Sequence, residues 1–172
     1  MASVEAEPTA DIEAAALVPA PPEDVFAFLS DLRNHWLLAD RFVEVVTLEA
    51  SDGVHADGGQ VRVRGPLGVR RTATTRVVAA REPRLMIGTA ELPGGTRARV
   101  SWTLAARLSG TRVRLAAEIE CSGILDRLLL AVGGRWWLTR RFASTLERLS
   151  EELRRRRARS AEVGAAGRGA RV

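Results

Sequence analysis

The chain of 172 residues has no tyrosine and no lysine, a single cysteine and two histidines. Each shortage removes a class of function. A lone Cys121 rules out an intramolecular disulfide framework and a cysteine-cluster zinc site, and its place at a strand end suits a small buried filler. His35 and His55 make no His-x-x-x-His or His-Glu-x-x-His spacing, so no metal motif is present and no cofactor is expected. There is no Gly-x-Ser-x-Gly elbow. The glycine pairs 58–59 and 94–95 fall between strands rather than ahead of a helix, which makes them turns and not phosphate cradles. No apolar run approaches the roughly eighteen residues that a membrane span needs. The acidic opening MASVEAEPTADIE does not read as a secretory signal, so the expected compartment is the cytoplasm.

Arginine fills every basic position alongside abundant Ala, Gly and Val, which reads as coding bias in a GC-rich genome. The net charge of +5 is unevenly spread. Residues 154–172 hold seven arginines and one glutamate, whereas residues 1–153 hold nineteen arginines against twenty acidic residues. The basicity belongs to the tail, and the folded part has no positive field to support specific nucleic-acid binding.

What is present is strand followed by helix. Residues 11–18 make a first strand. Pro21 and Pro22 suit a helix start, where a missing N–H is an orphan anyway, and Glu23 and Asp24 favour the first turn. Val25, Phe26, Phe28 and Leu29 give that helix its apolar face, and a second short helix covers 33–38. Strands follow at 42–50, 60–65, 69–80, 84–91, 97–108 and 111–121, separated by turn signals at 52–59, at Pro66 and Gly68, at Pro93-Gly94-Gly95 and at Ser109-Gly110. Alternation puts Val61 and Val63 on one face; Val100, Trp102, Leu104 and Ala106 on another; and Val113, Leu115, Ala117 and Ile119 on a third. Period-two strands with short turns predict an antiparallel sheet with one wet face.

From Ile124 to Arg157 the period changes to that of a helix, interrupted at Gly133-Gly134, where two interior glycines mark a kink or break. Leu138, Phe142, Leu146, Leu149 and Leu153 form one stripe, which needs a surface to bury against. Residues 1–10 read as disordered, 11–157 as one domain, and 158–172 as a disordered arginine-rich tail.

Ala20, Pro21, Glu23, Val25, Phe26, Asp31 and Trp36 in VPAPPEDVFAFLSDLRNHW, together with this element order, resemble the START-like superfamily, also called SRPBCC or birch-pollen-allergen-like. The nearest subgroup is the polyketide cyclase/dehydrase and lipid-transport type, over about residues 11–157. The resemblance implies an α+β helix-grip fold: a curved antiparallel sheet wrapped around a long C-terminal helix, two short helices after the first strand, and a cavity between helix and sheet. It also implies polar cavity groups where a member is a cyclase. This chain lacks the phenolic acid/base usual for enolisation, which leaves His35 and an inward arginine as candidates for such chemistry.

The candidate walls of an apolar site are Trp36, Phe42, Met86, Trp102, Trp136, Trp137 and Leu138, with ordinary core packing as the competing reading for each. Trp136 and Trp137 lie about 100° apart on a helix, so both cannot face inward. Arg135 extends the helical stripe backward. It either pairs with an anionic ligand head or, the favoured reading, snorkels to the rim. Arg71 is a second arginine of this kind, with Arg70 beside it pointing the opposite way. Three functions fit. The first is binding, by carriage or sensing, of a small hydrophobic ligand. The second is a polyketide cyclase/dehydrase-like enzyme using His35 and a cavity arginine. The third is a peripheral lipid carrier touching anionic membrane through 128–137 and the tail. Either a monomer or a homodimer accommodates these readings.

Overall fold

The alternating segments pair into a single seven-stranded antiparallel sheet in the order β1-β7-β6-β5-β4-β3-β2. The computed structural model describes residues 10–39, 42–50, 55–65 and 68–169, without the side chains of 125 and 162–169. The expectations for residues 1–9, for Pro66 and for part of the 52–59 loop lie outside the described residues. The strands are β1 (Ile12–Val18), β2 (Val43–Glu49), β3 (Gly58–Arg64), β4 (Arg70–Arg81), β5 (Leu85–Leu92), β6 (Thr96–Arg107) and β7 (Gly110–Cys121). Between β1 and β2 lie α1 (Pro22–Leu29) and α2 (Leu32–Leu38). The two prolines open α1 as expected, and Asp31 caps α2 by accepting from the Arg33 N–H at 3.0 Å.

The sheet curves where its register slips. One irregularity falls between Val45 and Thr47 on β2, opposite Val61 and Gln60 and next to Gly59, and another between Val77 and Ala79 on β4, opposite Gly88 and Ile87. At Gly59 φ is +150°, and a β-carbon there would lie 2.2 Å from the Thr47 carbonyl oxygen, so only glycine fits this bend. The outer face is wet and laced with cross-strand pairs such as Arg97–Glu91 and Arg99–Glu120, each at 2.8 Å. Exposed pairs of this kind contribute about 0–1 kcal/mol each.

After β7 the chain forms α3 (Ile124–Leu129), a π-type turn (Leu130–Gly134) and α4 (Arg135–Gly169). The break falls at the paired glycines, with Gly133 at φ +107° and non-helical backbone at Val132. The α4 stripe is buried as the period requires: Leu146 and Leu149 are fully enclosed and Leu153 nearly so, packed with Val25, Phe26, Phe28 and Leu29 of α1 and with Leu104 and Val113 of the sheet.

Three expectations change. The helix does not stop at Arg157 but continues to Gly169, because Ala, Arg and Glu are good helix formers and Glu151 and Glu152 pair with Arg155 and Arg156 one turn on. Residues 158–169 are therefore helical rather than structureless. Cys121 is exposed at the last position of β7, its thiol donating to the Gly95 carbonyl at 3.0 Å, rather than buried. Ala106 is exposed, although its cross-strand partner Thr111 is fully buried.

Leu146→Ala is expected to destabilise the domain by about 2–5 kcal/mol, the cost of emptying a closed leucine site. Arg154→Ala, on the exposed side of the same helix, is expected to stay within about 0.5 kcal/mol. Thermal and urea melts of the two variants test the assignment; equal losses would contradict it.

Candidate ligand cavity

The inner face of the sheet has two kinds of residue. At one end a row of large side chains crosses it, with Met86 opposite Trp102 and Trp102 opposite Leu115. Further along, small inward residues, Ala73 on β4, Gly88 and Ala90 on β5, Ala98 on β6 and Ala117 on β7, are interspersed with Val77, Val100 and Ile119. The helices bridge this shallow stretch without filling it. The result is a cavity of about 380 Å³ with almost wholly apolar walls. It lies between the sheet, α2, α3 and the first half of α4, and its volume is within the ordinary range for small-molecule sites, about 300–1,000 Å³.

Most of the sequence candidates meet at this cavity. Trp36, Phe42, Arg71, Met86, Trp102 and Leu138 line it, as does His35. Two do not. Trp136 is 65 % exposed, with the Arg140 guanidinium 4.9 Å above its ring. Trp137 takes the inward place, edge-on to Phe42 at 5.8 Å between ring centroids and 5.1 Å from the Arg141 guanidinium. Arg135 is exposed and paired with Asp11 at 3.2 Å. It is the first residue of α4, three before Leu138, and it makes that pair at the surface rather than entering the cavity.

Of the neighbouring arginines, Arg71 faces in. It does not present a free charge. Its guanidinium bonds to the Asp126 carboxylate and to the Pro93 carbonyl oxygen. The second Asp126 oxygen accepts from the Thr96 hydroxyl, which in turn accepts from the Gly123 N–H at 3.0 Å. Asp126 is 8 % exposed, and a carboxylate so buried persists as an ion only with such partners. Sequence reasoning missed Asp126 because one aspartate in the first turn of a helix reads as a dipole-favouring surface residue.

Arg76, which also lines the wall, pairs with Glu49 at 3.2 Å, and His35 lies on the α2 side. Its Nε2 donates to the Leu29 carbonyl oxygen, so the proton sits on Nε2 and Nδ1 carries the lone pair. Its ring meets Trp102 edge-on at 5.3 Å. Burial pushes the imidazole from its ordinary 6.5 down to about 4; the Leu29 bond and the Asp31 charge oppose that shift without cancelling it. At neutral pH His35 is uncharged. Among the described residues Trp36 Nε1 is a buried donor without an acceptor, and no cluster of His, Cys, Asp and Glu has the makings of a metal site.

A seven-stranded sheet curved over a long C-terminal helix, with two short helices after the first strand and an apolar cavity beneath, is the helix-grip architecture. The chain belongs to the family described as polyketide cyclase / dehydrase and lipid transport, whose profile matches residues 9–154. Among solved structures it is similar to TTHA0849 from Thermus thermophilus, at 22 % identity over 81 % of this chain and 94 % of that one, with a TM-score of 0.60. A Rhodobacter sphaeroides protein gives 22 % identity over 86 % and 95 %, with a TM-score of 0.57. Ms6760 from Mycobacterium smegmatis gives 16 % identity over 82 % and 88 %, with the same TM-score of 0.57. No curated protein sequence matches the chain. Among the described residues no helix is long and apolar enough to cross a membrane.

The buried imidazole makes stability pH-dependent with a definite sign. Folded His35 takes a proton only near pH 4, whereas the unfolded chain takes it near 6.5, so between these values the unfolded state holds the extra proton. The stabilisation is complete above 6.5 and is lost as pH falls toward 4. Relative to His35→Gln, the wild type is expected to lose up to about 3 kcal/mol between pH 7 and pH 4. Urea melts of both proteins at the two pH values check this; parallel losses would show that His35 is not buried as a neutral ring.

Proposed function

We propose that this domain binds a small, uncharged hydrophobic molecule in the cavity and carries or senses it rather than transforming it. One observation carries the reading: the cavity is open and apolar, while the charged groups on its wall are already used to hold the wall together. Arg71 is matched by Asp126, and His35 is neutral and bonded to Leu29. A ligand with an anionic head would have to displace Asp126 from Arg71, at the cost of leaving a buried carboxylate without its partner. A neutral apolar ligand meets no such cost. The family description, which includes lipid transport, supports the same class of ligand.

The enzyme alternative required His35 and an inward arginine acting together. Arg71 is tied to a carboxylate, and a histidine that protonates only near pH 4 is a weak general base at neutral pH. These features favour binding over catalysis.

Trp102→Ala is expected to weaken binding of an environment-sensitive apolar fluorophore by about tenfold or more, roughly the contact contribution of a large aromatic. Ala98→Phe, which fills the cavity from β6, should abolish the fluorophore signal. His35→Ala should leave affinity within about threefold, because a neutral ring adds little to an apolar contact. Native mass spectrometry of the purified chain should show an apolar small molecule released on denaturation. Undiminished binding in the filled variant would mean that the cavity is not the site. Turnover of a model poly-β-ketone that is lost in His35→Ala with affinity intact would favour the enzyme instead.

A further inference from the structure

The corner that joins β7 to α4 has two sides. Its inner side, with Leu129, Leu130 and Gly134, lines the cavity. Its outer side carries Ile124, Leu128, Val132 and Trp136, four residues apart and 89, 60, 78 and 65 % exposed. Single exposed apolar residues are normal on any surface, but four large ones on thirteen consecutive residues, each more exposed than Val45, Val46 and Leu48 on β2, make a concentrated patch. The charge around them is mainly positive, with Arg135 matched by Asp11 at the surface. From Ser122 to Arg141 the chain has arginines at 127, 135, 140 and 141 and a single acidic residue, Asp126. That aspartate is buried and engaged by Arg71, so it does not offset the arginines at the surface. Arg140 lies over the exposed Trp136 ring, which joins a cation and an amphipathic aromatic in one surface element.

We infer that this corner is a docking surface for an anionic lipid bilayer. Leu128, Val132 and Trp136 enter the headgroup–acyl boundary, while Arg127 and Arg140 meet lipid phosphates. Charge decides between occupants. A second copy of the chain docked by the same face would oppose arginines to arginines across a two-fold axis, whereas anionic lipid supplies the missing countercharge. The arginine-rich end of α4 is a separate feature. Arg156 lies about 30 Å along the helix axis from Trp136, at about 1.5 Å per residue, and it is turned toward Glu152, Asn34 and the Phe28 ring. The inference therefore rests on the corner and not on the arginines at that end of the helix. The inference goes beyond ligand binding, since it does not need the cavity to be filled.

The test is co-sedimentation of the full chain with vesicles of phosphatidylcholine alone and of phosphatidylcholine mixed with phosphatidylglycerol. Wild type is expected to bind the mixed vesicles, and more weakly as salt rises. Leu128→Glu combined with Val132→Glu should abolish binding. Arg127→Gln and Arg140→Gln should each reduce it about fivefold. Arg154→Gln with Arg159→Gln, at the far end of α4, should leave it unchanged. All positions are exposed, and circular dichroism and melting temperature should match the wild type. Fluorophore affinity should persist in the glutamate variant, which keeps failure of docking distinct from failure of ligand binding. Any of three results overturns the inference: no wild-type binding to mixed vesicles, equal binding by the glutamate variant, or loss caused by the tail substitutions instead. A concentration-dependent dimer in ultracentrifugation that the glutamate substitutions dissolve would assign the face to a second copy.

Discussion

Everything in this molecule depends on how α4 closes over a curved sheet whose inner face is not uniformly filled. The helix presents one apolar stripe, and the two ends of that stripe meet different surfaces. Leu146, Leu149 and Leu153 meet α1 and the large residues of β6 and β7, and they are closed. Leu138 and Phe142 line the cavity together with Ala73, Gly88, Ala90, Ala98 and Ala117, whose short side chains leave space beneath the helix, and Phe142 also packs against the core. A void of this kind forfeits dispersion contacts, which a soft structure would recover by collapsing. Here the packed end of α4 fixes the helix at a height that the hollow end must accept. The cavity is therefore a consequence of rigidity elsewhere, and dry apolar space of this sort accepts apolar molecules.

The polar atoms on the wall serve the same end. Asp126 reaches from α3 to Arg71 on β4 and to Thr96 at the start of β6, and Thr96 holds the Gly123 N–H just before the helix. That network pins the start of α3 to the sheet at the point where the chain leaves β7. His35 pins α2 to the end of α1 through the Leu29 carbonyl. Both Arg71 and His35, which sequence reasoning offered as ligand contact and catalyst, are thus engaged by protein. An ion pair so placed is weak evidence for stability, since its desolvation offsets much of its attraction. Its clearer consequence is geometric, because it fixes where α3 sits over the hollow.

The sheet, the helices and the kink were legible because each follows from a local period or a local break: alternation in VRVR or SWTLAA, the leucine spacing of 138–153, and Gly133-Gly134. The site was legible only in part. Trp102, Met86 and Leu138 could be placed because an inward face can be read along one element. Trp136 and Trp137 both lie off the centre of the 138–153 stripe on the same helix, so periodicity alone does not choose between them. Asp126 was hidden because its partner Arg71 is 55 residues away and on another element. Most of the large residues read as candidate walls do line the cavity, but large aromatics mark a core and a pocket equally. The small inward residues of neighbouring strands, Ala73, Gly88, Ala90, Ala98 and Ala117, are the signal of missing volume.

The paired glycines connect the cavity to the surface. An unbroken helix from Ile124 onward would carry the 138–153 phase backward, which would put Ile124 and Leu128 on the buried stripe and Leu129 and Leu130 off it. With Gly133 in a left-handed conformation, the short α3 is turned relative to α4. Leu129 and Leu130 then close the cavity while Ile124, Leu128 and Val132 are left in solvent. One backbone break thus produces both the inner wall and the exposed apolar ridge from the same dozen residues. A contact made by the ridge acts on a wall only one side chain deep, whose position is held by the Asp126 network. The surface and the cavity are in this sense two faces of a single structural decision at Gly133.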